Sequence, residues 1–176
     1  FSEPDRTAPA RIVEEMRRQG IAIEVDPDLP DPDALLAEAV ASNAVALGIA
    51  LSNETSVAAS DPKAGFSFVG ADPRARLLPY SGALSNLSLL NERATAMGYF
   101  SFPPTPDNII RTFPLISKSG DRLYPALSIE TLRIAQQAGS FVLRSAGTIE
   151  GSAMTDLRVG ALDIPVSADG EIWIYY

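Results

Sequence analysis

The chain has 176 residues, of which 46% are hydrophobic, and its 22 acidic and 14 basic residues give a net charge of −8. This length and composition are those of one globular domain with its own core, and the negative charge disfavours nucleic acid and anionic lipid surfaces as partners. Because the sequence contains neither histidine nor cysteine, it lacks Ser-His-Asp and Cys-His catalytic systems, cysteine-based zinc sites and disulfides.

The first third of the chain predicts two helices and a buried strand. Residues 9–19 form an amphipathic pattern that ends at Gly20, and residues 34–41 form a second helix with Asp33 as its N-cap. The apolar run 44–51 is typical of a buried strand and is too short to span a bilayer. A helix closely followed by a buried strand indicates a parallel sheet. The apolar stripe of the first helix consists of Ile12, Val13 and Met16.

Periodicity is weak in residues 52–88, where proline, glycine, serine and aspartate are scattered around short apolar segments. We expect this segment to be a long surface excursion. Loops of this length in compact domains usually bind or contact other molecules. A short helix is predicted next, near residues 89–97, with Gly98 at its end.

The most informative predicted element is a hairpin with a charged residue in an apolar row. Two β-rich runs, 98–102 and 109–116, flank the turn-forming residues 105–108. Strand alternation places Arg111 in a row of apolar side chains. A guanidinium on a half-buried face needs a carboxylate or a ligand, because an unpaired buried charge costs several kcal/mol. The row consists of Ile109, Arg111, Phe113 and Leu115.

The last third predicts one regular helix and several short strands. The helix follows Tyr124 and Pro125, ends at Gly139, and is expected to turn Glu130 and Arg133 toward water. The turn-forming residues 167–170 join the last two strands into a C-terminal hairpin. The whole pattern predicts an α/β fold with a central mixed β-sheet flanked by helices and a C-terminal β-hairpin. The strands are predicted at 141–144, 157–159, 161–165 and 172–176.

Five segments follow one another in an order and spacing that resemble a known family. They are residues 1–7 (FSEPDRT), 29–33 (LPDPD), 98–116, 124–127 (YPAL) and 164–175. Together they resemble the motifs of the type-two CHASE family, the cyclase- and histidine-kinase-associated sensory extracellular domains, over nearly the whole chain. The family's first helix and strand would lie before Phe1. Its hairpin turn usually reads Asp-Gly where this chain has Asp107 and Asn108, a mild change because asparagine tolerates positive φ.

The resemblance implies that residues 1–176 are a single sensory domain on the periplasmic side of a bacterial inner-membrane receptor. Flanking transmembrane helices would connect it to a cytoplasmic adenylate or guanylate cyclase, or to a histidine or serine/threonine kinase. The chain starts at Phe1 instead of methionine, as expected of a piece of a longer protein. We expect a domain without catalytic residues, metal or cofactor, a small molecule or a protein as its signal, and a homodimer in the parent receptor.

Six residues are candidates for ligand binding. Arg111 corresponds to the arginine of the family's hairpin motif, and its planar guanidinium is suited to an anionic ligand together with Asp5 or Asp107. A structural ion pair between Arg111 and Asp5 is the commoner alternative, because buried arginines are normally paired within the protein. The tyrosines have an apolar body and a polar tip, which suits a pocket as well as the core. The candidates are Asp5, Arg6, Tyr99, Asp107, Arg111 and Tyr124.

Other functions stay open on the sequence. The domain can instead be an interaction or dimerisation module of an envelope receptor, or a hydrolase that uses the carboxylates of Asp5 and Asp107. The acidic loop 24–33 lacks the glycine of an EF-hand, which favours a solvated loop over a calcium site. Ser60-Asp61-Pro62-Lys63 fits the S-x-x-K motif of penicillin-recognising acylases, but Pro62 favours a loop where that motif needs a helix.

Overall fold

The computed structural model describes residues 3, 8–23, 29–103, 105, 107 and 109–176, and these residues form an α/β fold. The helices are α1 (Pro9–Arg18), α2 (Pro32–Ala41), α3 (Ser88–Arg93) and α4 (Leu127–Ala135). The strands are β1 (Ala46–Ser52), β2 (Gly65–Val69), β3 (Leu78–Tyr80), β4 (Gly82–Leu84), β5 (Ala96–Tyr99), β6 (Thr112–Pro114), β7 (Ile116–Ser119), β8 (Arg122–Pro125), β9 (Ser140–Ser145), β10 (Met154–Val159), β11 (Leu162–Pro165) and β12 (Glu171–Trp173). The α/β class predicted from the sequence is confirmed.

Within these residues the strands form four sheets, in the orders β4-β1-β5, β11-β10-β9-β2, β12-β6 and β3-β7-β8. The first, second and fourth sheets are mixed. β1 runs parallel to β5 and antiparallel to β4, β2 runs parallel to β9, and β3 runs parallel to β7. The buried strand predicted at 44–51 is β1, and its parallel pairing was also predicted correctly.

Helix α4 lies directly against β5. A Cβ atom at Gly98 would lie 2.5 Å from the Cα atom of Leu127, so the strand and the helix touch through their backbones. Real Cβ atoms do not come this close to backbone atoms, and glycine is therefore required at this position. Among the described residues, the three largest fully buried side chains are those of Tyr99, Tyr124 and Phe141.

The predicted hairpin between residues 98–102 and 109–116 is wrong. β5 pairs with β1, and β6 pairs with β12 near the end of the chain. Both runs have the composition of strands, but distant partners decide the pairing and override the local turn chemistry. The helix predicted near 89–97 is also shorter, because its last residues belong to β5.

The structure revises two further predictions. The segment 52–88 contains β2, β3, β4 and a 3-10 turn at Pro73–Ala75, and Leu77 and Ala83 are buried in it. Elements this short carry no readable periodicity. The C-terminal hairpin exists, but it joins β10 to β11 across Gly160, whose φ is positive. The turn at 167–170 leads instead to β12, which pairs with β6.

Glu130 and Arg133 of α4, predicted to face water, are buried. The guanidinium of Arg133 donates two hydrogen bonds to the Glu130 carboxylate, both of 2.8 Å, and a third of 2.7 Å to the carbonyl of Ala138. The Glu130 side chain has no exposed surface, and that of Arg133 is 10% exposed. Their three-residue spacing is equally typical of a solvated pair, so only the packing of α4 reveals the burial.

Candidate functional site: an aromatic groove

An apolar cavity of about 350 Å³ opens between the β6-β12 pair, the residues that follow β5 and the first turn of α4. We call it the aromatic groove. Its volume is near the lower end of the range found for small-molecule sites, roughly 300–1,000 Å³. The groove is lined by Tyr99, Phe100, Phe102, Phe113, Leu127, Ser128, Ile172 and Ile174.

Strand pairing builds one wall of the groove. Phe113 of β6 lies opposite Ile172 of β12, and Ile174 follows on the same side because side chains alternate along a strand. The ring of Phe113 lies 5.8 Å from that of Tyr99 and 5.2 Å from that of Phe102, measured between ring centroids. These spacings are typical of favourable aromatic pairs, so Phe113 lies at the centre of a ring cluster.

The opposite wall comes from the chain after β5 and from α4. Phe100 leaves β5 toward the groove, and a Cβ atom at Gly48 would lie 2.8 Å from its ring. Phe100 and Phe102 are 50% and 56% exposed. The described structure therefore leaves these two rings about half in water, which is unfavourable for apolar surface.

The polar groups at the groove are few. The hydroxyl of Tyr99 donates to the carbonyl of Pro114, and burial raises the pKa of Tyr99 well above its usual range. The hydroxyl of Ser128 lies at the exposed edge. None of the described side chains that line the groove is charged. The groove thus offers apolar contact and aromatic stacking, with one hydroxyl at its edge.

Arg111 is exposed, contrary to the expectation of a half-buried position. Its two terminal nitrogens lie 3.1 and 2.7 Å from the two carboxylate oxygens of Asp107, and 54% of its side chain is exposed. This ion pair holds the pKa of Asp107 at about 2. The expectation that Arg111 lies in a half-buried row of side chains depended on the predicted hairpin, which does not form. In addition, β6 begins only at Thr112, so Arg111 precedes the strand. Asp107 and Arg111 come together, but neither lines the groove.

The other predicted site residues lie apart from this pair. Tyr99 lines the groove, whereas Tyr124 is buried on β8 and donates a hydrogen bond of 3.0 Å to the carbonyl of Ser60. Asp5 and Arg6 lie outside the described residues. Of the four candidates that the structure describes, only Tyr99 lines the groove. The clue that was missed is the run 99–102, in which three of four residues are aromatic.

The S-x-x-K residues border a second, polar cavity of about 270 Å³. The Ser60 hydroxyl accepts a hydrogen bond from the Asn91 amide, and the Lys63 amine donates to the carbonyl of Glu92. These contacts differ from the Ser–Lys contact that an acylase requires. They tie the loop around Ser60 to α3, which is a structural role.

Among the residues that the structure describes, the groove has the uncharged aromatic lining of a site that binds apolar molecules. A family model described as CHASE2 domain matches residues 1–176, and the chain therefore belongs to the CHASE2 family of sensory domains of signalling receptors. This confirms the resemblance found in the sequence. CHASE2 domains are extracellular sensory domains and are not themselves catalytic.

No curated protein and no solved structure matches the chain. Among the described helices, none is both long and apolar enough to cross a membrane.

Proposed function

We propose that this domain is the periplasmic signal-input domain of a transmembrane receptor, and that a small molecule bound in the aromatic groove regulates a cytoplasmic adenylate or guanylate cyclase or a kinase. The observation that supports this proposal is a cavity of about 350 Å³ whose rings are partly exposed in a sensory domain. Covering apolar surface stabilises a complex by about 25 cal/mol per Å². A ligand that covers Phe100 and Phe102 therefore gains affinity from surface that is now in water.

The groove is also placed to influence the core. Its two walls belong to different parts of the fold, the β6-β12 pair and the unit formed by β5 and α4. A ligand shifts a conformational equilibrium only when it binds one conformation more tightly than the other. Because the groove lies between these parts, its occupancy depends on their separation, and binding would favour one relative position. The regulated cyclase or kinase would respond to that position.

The experiment blocks the groove with one side chain. Ser128→Phe puts a ring at the groove edge, and Ala135→Phe is the matched control, since Ala135 is also exposed on α4 and lies about two turns further along. A thermal-shift screen against periplasmic metabolites comes first. A ligand at a hundredfold excess over its Kd stabilises the native state by about 2.7 kcal/mol.

We expect a ligand that raises the Tm of the unmodified domain and of Ala135→Phe but not that of Ser128→Phe. In the intact receptor, Ser128→Phe should abolish the response of the output enzyme to that ligand. If every ligand stabilises both variants equally, or if Ser128→Phe leaves the response unchanged, the groove is not the input site.

A second function is favoured by helix α1. Its apolar residues Ile12, Val13 and Met16 form a stripe, yet none of the residues of α1 is buried, and Arg18 pairs with Glu14 at 2.6 Å on the polar side. Such a face suits a protein partner. In this alternative the domain is a protein interaction or dimerisation module without a small ligand. Homodimerisation of the parent receptor is part of both proposals, because a coupled pair of output domains needs paired input domains.

Sedimentation of the domain tests this second function. If α1 pairs two copies, Met16→Glu should give monomers, whereas Arg17→Glu, which also introduces a glutamate but at the neighbouring exposed position, should leave the dimer intact. Equal sedimentation of both variants and the unmodified domain would contradict a role of the stripe.

A further inference from the structure

We infer that the aromatic groove takes an uncharged molecule built on a single ring or a branched aliphatic group, and not an anion. This inference rests on the proposed function and specifies the ligand class of the same groove. It differs from the expectation drawn from Arg111, which favoured an anionic ligand.

The first step of the argument is charge. Of the lining side chains that the structure describes, none is ionised at neutral pH, and burial raises the pKa of Tyr99 further above its usual value. An ionised carboxylate that leaves water needs a cation or several hydrogen-bond donors in return. The described side chains that line the groove include no cation, and the net charge of −8 adds a general repulsion of anions.

The second step concerns two strong side-chain donors, Tyr99 in the groove and Arg111, whose backbone pairs with Ile174, and both are already engaged. The Tyr99 hydroxyl donates to the Pro114 carbonyl. Both terminal nitrogens of Arg111 bind the Asp107 carboxylate, and one of them also lies 3.3 Å from the carbonyl of Ile109. An anion would have to displace Asp107 from this two-point contact, which already satisfies the guanidinium.

The third step is shape. The rings of Tyr99, Phe113 and Phe102 follow one another at 5.8 and 5.2 Å, and a planar ring in the groove extends that series. Leu127, Ile172 and Ile174 provide methyl groups around it. The Ser128 hydroxyl at the edge offers one hydrogen bond. A ring with at most one hydroxyl or amide group matches this set of contacts.

A matched pair of probes tests the ligand class on the 176-residue chain. 2-Phenylethanol and phenylacetate share a benzene ring and a two-carbon chain, and they differ in charge. Affinity is measured by equilibrium dialysis, and position by NMR shifts of the methyl groups of Leu127, Ile172 and Ile174. We expect 2-phenylethanol to shift these methyl groups and to bind at least about tenfold more tightly than phenylacetate, since an unpaired carboxylate costs more than the 1.4 kcal/mol that corresponds to tenfold.

Two variants complete the test. Ser128→Phe should abolish binding of 2-phenylethanol, and Arg111→Gln should leave its affinity unchanged. Tighter binding of phenylacetate, or a loss of binding in Arg111→Gln, would overturn the ligand class. Absence of methyl shifts with both probes would overturn it too. In each of these cases the proposed function stands if the output of the intact receptor still depends on Ser128→Phe, and fails if it does not.

Discussion

Two arginine–carboxylate pairs in this domain have nearly the same geometry and opposite surroundings. Arg133 binds Glu130 through two nitrogens inside the fold, and Arg111 binds Asp107 through two nitrogens at the surface. The exposed fractions of the side chains are 10% and 0% in the first pair and 54% and 47% in the second. The comparison teaches that burial, more than contact geometry, decides what an ion pair contributes.

The buried pair also has a structural task that the exposed pair lacks. The third hydrogen bond of Arg133 reaches the carbonyl of Ala138, just beyond the end of α4. The same helix begins at Leu127, which lines the aromatic groove. Arg133 and Glu130 thereby stabilise the C-terminal end of the helix that forms one wall of the groove, whereas Arg111 and Asp107 lie outside it.

The largest expected effect comes from breaking the buried pair. Glu130→Leu leaves the Arg133 guanidinium buried without its carboxylate, and removing one partner of such a pair costs about 3–5 kcal/mol. The free energy of unfolding in urea measures the loss. A loss below that of ordinary surface variants would show that Arg133 reaches water.

Replacing both partners should cost much less. In Glu130→Leu with Arg133→Met no charge remains buried, and hydrophobic replacements of buried pairs are often neutral. The Ala138 carbonyl still loses its donor, for which we expect about 1 kcal/mol. A double-mutant cycle in urea separates the two terms. If the double variant is as unstable as Glu130→Leu, packing around α4 and not the charge carries the effect.

Breaking the exposed pair should have a smaller effect still. Arg111→Ala removes a contact that water and salt already screen, so we expect a shift of the urea midpoint near the limit of detection, and a smaller one at high salt. A shift comparable to that of Glu130→Leu would mean that Arg111 becomes buried in solution.

The smallest effect is the pH dependence of the exposed pair. Asp107 has a folded pKa of about 2, below its usual 3.8, because Arg111 favours its charged form. Its stabilising contribution is therefore complete above about pH 4 and is lost as the pH falls toward 2. A carbon NMR titration of the Asp107 carboxyl should give this low pKa, and Arg111→Ala should raise it toward the usual value. An unchanged pKa in that variant would assign the shift to backbone donors.

The parts of the fold that depend on one helix, strand or turn alone were predictable from the sequence. The periodicity of α1 and α2, the apolar run of β1 and the turn chemistry around 167–170 all act over a few residues. The pairing of strands that are distant in the sequence was not predictable, because it does not depend on neighbouring residues. The partner of β6 is β12, more than fifty residues later, and local turn residues contain no information about it.

In the candidate site, too, local features were predictable from the sequence and features that depend on distant pairing were not. Tyr99 could be predicted because an amphipathic ring in an apolar run suits a pocket wall. Its neighbour Phe113 could be placed only with the correct pairing of β6. The sequence predicts that Glu130 and Arg133 face water because the apolar residues of the helix form a stripe on another face, and the burial of this pair leaves no mark in that pattern.

The contact of Gly98 with Leu127 has a mechanical consequence. Side chains between a strand and a helix can absorb a small displacement by changing rotamer, but here the two backbones touch with no side chain between them. Leu127 cannot move toward β5 without pushing the strand, and β5 is hydrogen-bonded along its length to β1. A displacement of Leu127 from within the groove would therefore act directly on β5 and its partner β1, because no side chain lies at this contact to absorb it.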